Sequence, residues 1–145
     1  MFGGRPLADH ARELLRPHVT DAVIVGRGSG IVDRPGPDLG PLGGIAGALS
    51  HAAAHGYTSV LTIACDVPRL PEGLLAALAR RAPAYCPDAP VIGHWESADA
   101  DRLVAHILAS PRRSVRGWAE AIGALPIPAG GAIPNVNAPE DLAAL

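Results

Sequence analysis

The stretch from Ser59 to Pro68 constrains the fold of this chain more than any other part of its sequence. Residues Val60 to Cys65 form a short and mostly apolar run, which is typical of a strand that is buried on both faces. Asp66 follows directly, and Pro68 ends the strand because proline has no N–H to donate to a ladder. Ligands of open α/β sheets bind beyond the carboxyl ends of the strands, so the pattern predicts that Asp66 lies at the rim of a binding cleft.

Two roles are open to Asp66 on local grounds. A carboxylate at this position suits a hard cation that carries phosphates, because magnesium is commonly bound by one or two carboxylates together with phosphate oxygens. The alternative is a turn residue that caps the next helix, a position at which aspartate is favoured.

The composition narrows the class of protein. The sequence has 145 residues, of which 48% are apolar and 18% charged, and this balance indicates a single globular domain over residues 1–145. The net charge of −2 gives no basic surface for nucleic acid, and at 3% aromatic residues there are few rings for bases to stack on. No apolar run has the length of a membrane span and no signal segment is recognisable, so we expect a cytoplasmic protein without a membrane partner.

Apolar spacing predicts alternating helices and strands along the chain. Helices are expected over 6–16, 45–55 and 71–81, from 97 onward, around 115–122 and from 139. Strands are expected at 21–25, 31–33, 60–65, 90–95 and 125–127. This alternation favours a mostly parallel sheet covered by helices. The expected core faces of three helices are Leu74, Leu75 and Leu78; Leu103, Val104, Ile107 and Leu108; and Val115, Trp118, Ala119 and Ile122.

A loop rich in glycine and proline precedes the helix expected over 45–55. Residues 34–44 contain four glycines and three prolines, and Gly56 stands where that helix should be capped. Gly43 and Gly44 are therefore expected at the helix N-terminus, where free amides and the helix dipole favour an anion or an oxygen-rich ligand edge. A loop shaped only by turn chemistry is the alternative.

Several other polar residues have open or structural interpretations. Cys65 and Cys86 lack the spacing of metal ligands, and the position of Cys65 in an apolar run favours a buried free thiol. His94 and His106 have no partner at ligand spacing, so we expect packing or surface roles. Three arginines could meet a substrate phosphate or form a solvated face: Arg112, Arg113 and Arg116.

Two asparagines near the end of the sequence are also candidate site residues. Asn135 and Asn137 stand just ahead of a helix that Pro139 opens. They are either simple caps or donors of amide oxygens to the cleft that holds Asp66.

Four motifs in this order resemble a known family. They are Asp33, the run Gly40-Pro41-Leu42-Gly43-Gly44, the run Cys65-Asp66-Val67-Pro68, and the run from Asn135 to Leu142. The chain resembles the molybdenum cofactor guanylyltransferases, MobA-like members of the nucleotidyltransferases of the nucleotide-diphospho-sugar transferase, or glycosyltransferase-A, type. The resemblance implies a Rossmann-like three-layer sandwich of class α/β, with a mostly parallel sheet.

The resemblance also implies an activity and its partners. It implies transfer of GMP from GTP to the phosphate of molybdopterin, or of the molybdenum cofactor, with release of pyrophosphate. The product would be the guanine dinucleotide cofactor, and molybdoenzyme apoproteins or chaperones would be further partners. The sister cytidylyltransferases differ in the loop matched by Gly40 to Gly44, so the guanine enzyme is the preferred interpretation and a cytidylyltransferase or related nucleotidyltransferase is the alternative.

Site residues follow from the resemblance position by position. Asp66 matches the family's Mg²⁺-binding aspartate, and Asn135 and Asn137 match a closing motif near the metal and the acceptor. Nucleotide-contacting positions are Asp33, Gly40, Leu42, Gly43 and Gly44. The attacking phosphate is already ionised at neutral pH, so the reaction needs no general base.

The chain departs from the family at its start. Family members open with a strand and a loop of the form Leu-Ala-Gly-Gly-x-Ser-x-Arg-Met-Gly, which grips the triphosphate together with a lysine. That segment does not occur here, and the sequence has no lysine at all. We expect either that the natural protein continues upstream of Met1, or that this is a catalytically inactive nucleotide- or partner-binding fragment. As given, the N-terminally truncated chain is expected to be weak or inactive.

Overall fold

The computed structural model of the chain describes residues 13–19, 34–35, 40–63, 70–109 and 114–131. Residues 13–15 are helical, and four α-helices have both ends in these ranges: α1 (Gly40–Ala54), α2 (Leu74–Ala79), α3 (Ala100–Ala109) and α4 (Val115–Ala121). Four strands accompany them: β1 (Ser59–Thr62), β2 (Ala84–Tyr85), β3 (Gly93–Glu96) and β4 (Leu125–Pro126). Short 3₁₀ turns cover Arg16–His18 and Ser97–Asp99.

The described strands form one sheet in the order β1-β3-β2-β4. Strand β3 is antiparallel to both β1 and β2, whereas β4 is parallel to β2. The expected α/β class is confirmed, but the pairings of these four strands are mixed rather than mostly parallel. The reason is that only residues 86–92 connect β2 to β3, and a connection this short closes an antiparallel pair, since a parallel pair needs a crossover of a dozen or more residues.

Two apolar cores on opposite faces of the sheet give the molecule three layers. The first core joins Tyr85 and Trp95 to helices α1, α3 and α4. The second joins Leu61, Ala84 and Ile92 to helix α2. Consecutive strand residues point to opposite faces, which is why Ala84 and Tyr85 belong to different cores. The three-layer arrangement expected from the family resemblance is therefore present in the described part of the chain.

The predicted core faces are mostly confirmed. Leu74, Leu75 and Leu78 are buried on α2, although this helix is shorter than the predicted 71–81. The predicted stripe of α4 is buried at Val115, Trp118 and Ala119, and Ile122 packs against the same core. The prediction for Leu108 is wrong, since 71% of this residue is exposed. Leu108 lies about 100° around the helix from the buried Ile107 and thus off the contact stripe.

Helix α1 ends as predicted but begins earlier. Gly56 has φ +81°. The amide of Tyr57 donates to the carbonyl of Ala52 (2.9 Å), and the amide of Gly56 donates to the carbonyl of Ala53 (3.4 Å). This is the Schellman termination that the glycine predicted. The helix starts at Gly40 rather than at about residue 45, since Pro41 in the first turn lacks only an N–H that would have no partner there anyway.

Strand β1 is shorter than the run that predicted it. The run covers residues 60–65, whereas the strand ends at Thr62, and residues 64–69 lie outside the described ranges. Leu61 is buried in the second core and the half-buried Val60 packs against the first, so both faces of the described part of the strand are covered, one of them only partly. None of the helices in the described ranges has the length and apolar character of a membrane span.

Candidate functional site

The structure places part of the predicted site. Among the predicted residues, the glycine-rich positions at the start of α1 are described: Gly40, Leu42, Gly43 and Gly44. The other predicted site residues lie outside the described residues: Asp33, Asp66, Asn135 and Asn137. The site is therefore built from the described segments that lead into these positions.

The amides that lack a partner within α1 are not the ones that the sequence predicted. Gly43 and Gly44 lie inside the helix, as its fourth and fifth residues, rather than ahead of it. In a helix that begins at Gly40, the amide of Gly44 donates to the carbonyl of Gly40. The amides of Gly40 and Leu42 then have no partner within the helix. The amide of Leu42 is closed to a ligand because the whole residue is 0% exposed, so Gly40 is the candidate position for an anion at this end of the helix.

Leu42 is part of the core and offers no exposed atom to a ligand in this structure. The residue is 0% exposed, backbone included, and its side chain belongs to the first core. Burial of this side chain fixes the rotation of the helix about its axis. The direction in which the start of the helix faces is set accordingly.

One hydrogen bond ties the loop before α1 to the helix. The amide of Arg34 donates to the carbonyl of Gly43 at 3.0 Å. Because the Arg34 nitrogen is covalently bonded to Asp33, this contact joins the chain at Asp33 to the first turns of the helix. Gly43 is buried at this contact.

The end of β1 is held by a hydroxyl group. The Oγ1 of Thr62 donates to the carbonyl of Val91 at 2.6 Å and accepts from the Nε1 of Trp95 at 2.9 Å. Thr62 is the last residue of β1, and Asp66 follows four positions later. The chain thus leaves the sheet toward Asp66 from an anchored point.

A second anchor holds the chain that leads to the asparagines. The amide of Ala129 donates to the Oδ2 of Asp88 at 3.0 Å. Two residues further on, a Cβ placed on Gly131 would lie 3.5 Å from the Cγ of Pro71, so the backbone of Gly131 lies close to the ring of Pro71. Pro71 follows the segment that contains Asp66, and Gly131 precedes Asn135 by four positions. The structure therefore brings together Pro71 and Gly131, described residues that lie close along the chain to the predicted carboxylate and to the predicted amides, respectively.

Other candidate residues have structural roles. The expectation for His94 is confirmed, because its Nδ1 lies 2.9 Å from the carbonyl oxygen of Leu78 and its Nε2 lies 2.8 Å from the Oγ of Ser59. His106 packs its ring edge-on against Trp118, with centroids 5.3 Å apart. Arg116 is exposed and donates from Nη2 to the carbonyl of Pro87 at 2.6 Å.

The chemistry of the described residues excludes two kinds of site within them. Cys86 is 0% exposed, and burial raises the pKa of its thiol, so it does not supply a thiolate nucleophile at neutral pH. In the described part of the chain, no group of three or more His, Cys, Asp or Glu side chains is arranged to hold a metal ion. Arg112, Arg113 and Cys65 lie outside the described residues.

Sequence reasoning missed the residues that anchor the site segments, namely Thr62, Asp88 and Trp95. One signal could have indicated the first contact, since Gly93 lies two positions before Trp95 in a predicted strand. An isolated glycine in a strand often marks a close approach of another group. Asp88 carries no comparable signal, because its partner is a backbone amide 41 positions away.

Comparison with known proteins identifies the family of this chain. Residues 1–125 match the family model described as the MobA-like NTP transferase domain. A protein of Cereibacter sphaeroides named molybdenum cofactor guanylyltransferase is 35% identical over 159 aligned residues, which cover 98% of this chain and 82% of that protein. A Rhodobacter capsulatus protein of the same name is 38% identical over 120 residues, covering 77% of this chain and 61% of its own length.

The family match and the first of these relatives extend over most of the sequence, including α1, β1 and the segment with Asp66. The family resemblance drawn from the four motifs is therefore confirmed. On these grounds the chain belongs to the family of MobA-like NTP transferase domains.

Proposed function

We propose that this protein transfers GMP from GTP to the phosphate of molybdopterin or of the molybdenum cofactor. The observation that carries this proposal is the 35% identity, over 98% of the chain, to a protein named molybdenum cofactor guanylyltransferase. A phosphate oxygen of the acceptor attacks the α-phosphorus of GTP, the bond between the α-phosphorus and its bridging oxygen breaks, and pyrophosphate leaves. No proton has to be removed from the acceptor, because its phosphate is already ionised at neutral pH.

The groups near the site suit this chemistry. Displacement at a phosphorus is catalysed mainly by positioning and by neutralising charge on the phosphates. The amide of Gly40 at the start of α1 would meet a nucleotide oxygen there, and the half-buried Gly44 would let the nucleotide approach the backbone of the helix. Asp33, covalently joined to the anchored Arg34, would make a further contact with the nucleotide.

Mg²⁺ is the metal that we propose for this reaction. Asp66 would hold it, and Asn135 and Asn137 would supply amide oxygens near the metal and the acceptor. The donor set is all oxygen, which Mg²⁺ prefers, and the contact between Gly131 and Pro71 supports a shared location for the two segments. When bound, the ion supplies positive charge next to the phosphates. On the family resemblance alone, we also propose that the product reaches molybdoenzyme apoproteins or their chaperones in the cytoplasm.

The experiment is a transfer assay with GTP, molybdopterin and Mg²⁺ in which the purified protein carries the family's opening strand and loop ahead of residue 1, because the chain as given is expected to be weak or inactive. We expect pyrophosphate and a guanine dinucleotide to form in equal amounts, and CTP to compete poorly with GTP. Preferential use of CTP would instead assign the protein to the cytidylyltransferases. Binding of GTP without any turnover would assign it to the nucleotide-binding proteins that lack catalysis.

Replacing the proposed metal ligand gives the sharpest prediction for this function. We expect Asp66→Ala to lower the transfer rate by at least about 100-fold, since even changes to the partners of metal ligands cost 10–100-fold. The matched control is Asp101→Ala, which removes an exposed carboxylate from the first turn of α3. Equal rates for the two variants would contradict a metal-binding role for Asp66.

A further inference from the structure

The indole of Trp95 lies across the sheet to reach the end of the neighbouring strand. Thr62 pairs directly with Gly93, and Trp95 is two residues further along β3, so all three residues belong to the same face of the sheet. Trp95 is 1% exposed, and its Nε1 donates to the hydroxyl of Thr62 at 2.9 Å. The bond is thus a diagonal contact between two strands, made inside the first core.

Gly93 makes this contact possible. A Cβ at Gly93 would lie 2.7 Å from the Cε2 of Trp95 and 2.9 Å from the carbonyl oxygen of Ala84, and it would also collide with Cζ2 of the same indole. Real Cβ atoms essentially never approach so closely. The indole can therefore cross position 93 only because glycine has no side chain.

The Thr62 hydroxyl is fully engaged in this arrangement. It accepts from Trp95 and donates to the carbonyl of Val91 at 2.6 Å, which lies just before β3 begins. Ile63, the next described residue, is no longer part of the strand. The hydroxyl consequently fixes the last ladder position of β1, the point at which the chain leaves the sheet.

We propose that Thr62 is a positioning residue for the proposed metal-binding carboxylate of Asp66, an inference that rests on the proposed function. Thr62 touches neither nucleotide nor metal. It acts through the three residues that separate it from Asp66, because a strand end without this anchor can rotate and shift the chain beyond it. A shift of about 1 Å in a catalytic group can cost about 100-fold in rate.

The test compares Thr62→Val with Thr62→Ser. Valine keeps the shape of threonine but removes the hydroxyl, whereas serine keeps the hydroxyl. We expect Thr62→Val to lower kcat by about 10- to 100-fold and to raise the Mg²⁺ concentration needed for half-maximal rate, as loss of the groups that orient metal ligands does. Thr62→Ser should retain values close to those of wild type.

A matched control separates positioning from general loss of stability. His94→Leu breaks the hydrogen bond to Ser59 at the opposite end of β1, on the other face of the sheet. This variant should lose stability while the Mg²⁺ requirement stays that of wild type. An equal change in Mg²⁺ requirement for His94→Leu and Thr62→Val would overturn the proposal, because the effect would then come from weakened folding.

A second variant and a second measurement cover the case in which Thr62→Val does not fold. Trp95→Phe keeps an aromatic ring in the core but removes the N–H that holds the hydroxyl, and we expect the same direction of change from it. Mn²⁺ binding in the presence of GTP, followed by electron paramagnetic resonance, reports on the metal site without turnover. If wild type binds Mn²⁺ with GTP and both variants match it, the positioning role is wrong.

The proposed function fails in a different way. Wild-type protein that neither transfers GMP nor binds Mn²⁺ with GTP would overturn that function, and the positioning role with it. Normal behaviour of wild type together with normal behaviour of Thr62→Val would overturn the positioning role alone.

Discussion

His94 and Trp95 are neighbours on β3, yet they hold the two faces of the sheet by different means. Trp95 is buried in the first core among side chains of α1, α3 and α4, and it makes one hydrogen bond, to Thr62. His94 lies on the opposite face, where its Nδ1 faces the carbonyl oxygens of Leu78 and Arg81 at 2.9 and 3.0 Å. One face thus depends mainly on apolar burial, and the other adds a polar link between α2 and the sheet.

This difference predicts how mutations on each face affect stability. An aromatic side chain of this size buries 150–250 Å², so its removal leaves a large cavity. His94 is only half-buried, and its value lies in the carbonyl groups that it satisfies at the end of a six-residue helix. We therefore expect mutations on the Trp95 face to act through packing, and those on the His94 face through the loss of hydrogen bonds.

Trp95→Ala should give the largest loss of stability. We expect the free energy of unfolding to fall by about 3–5 kcal/mol, because the change combines lost burial with a cavity in the first core. Urea unfolding monitored by circular dichroism measures this loss. Trp95→Phe is the control and should lose less, since it fills most of the space. A fall of less than about 1 kcal/mol for Trp95→Ala would mean that the core can collapse around the gap.

His94→Leu should give an intermediate loss. The leucine preserves bulk but removes the bonds of His94 to the Arg81 carbonyl and the Ser59 hydroxyl, whereas the Leu78 carbonyl keeps the amide of Arg81 at 3.2 Å. We expect a fall of about 1–2 kcal/mol, because each hydrogen bond that is lost contributes about 0.5–1.5 kcal/mol. Amide hydrogen exchange should also speed up in α2 more than in α3. Equal protection of both helices would show that His94 does not hold α2 to the sheet.

Ser114→Ala should give the smallest of these effects. The side chain of Ser114 caps α4 by accepting from the amide of Gly117 at 3.0 Å. Loss of such a cap costs about 1 kcal/mol, and helix α2 on the other face has no side-chain cap to lose. The same urea titration applies, with Glu120→Ala as an exposed control on α4 that should change the free energy by no more than about 0.5 kcal/mol. If Ser114→Ala lowered the free energy of unfolding by more than Trp95→Ala does, packing around Trp95 would not be the larger contribution to stability.

Helix faces were the most predictable part of the fold. The buried stripe of Leu74, Leu75 and Leu78 follows from helical spacing alone, and Gly56 ends α1 as its position predicted. The two-residue strand β2 was not predicted, because a strand so short contains no period to detect. Leu108 was assigned to the core because it continues the apolar pattern of α3, whereas the extent of contact between helices decides where that pattern stops being buried.

Only part of the site prediction is confirmed. Its family followed from the order of four motifs, and the match to the MobA-like NTP transferase domain confirms that assignment. The roles of Asp33, Asp66, Asn135 and Asn137 stay predictions. The free amides at the start of α1 were assigned to Gly43 and Gly44, but the helix begins at Gly40 because proline at the second position is compatible with a first turn.

By itself, the sequence determined the α/β class, the family, and the buried stripes of α2 and α4, because these depend on local spacing and on motifs that are contiguous in the chain. Only the tertiary structure decided which strands are antiparallel, how Trp95 reaches Thr62, and how Asp88 holds the amide of Ala129. The last two contacts join residues 33 and 41 positions apart. Hydrogen bonds over such separations leave no periodic trace in a sequence, since they exist only once the sheet has brought the two segments together.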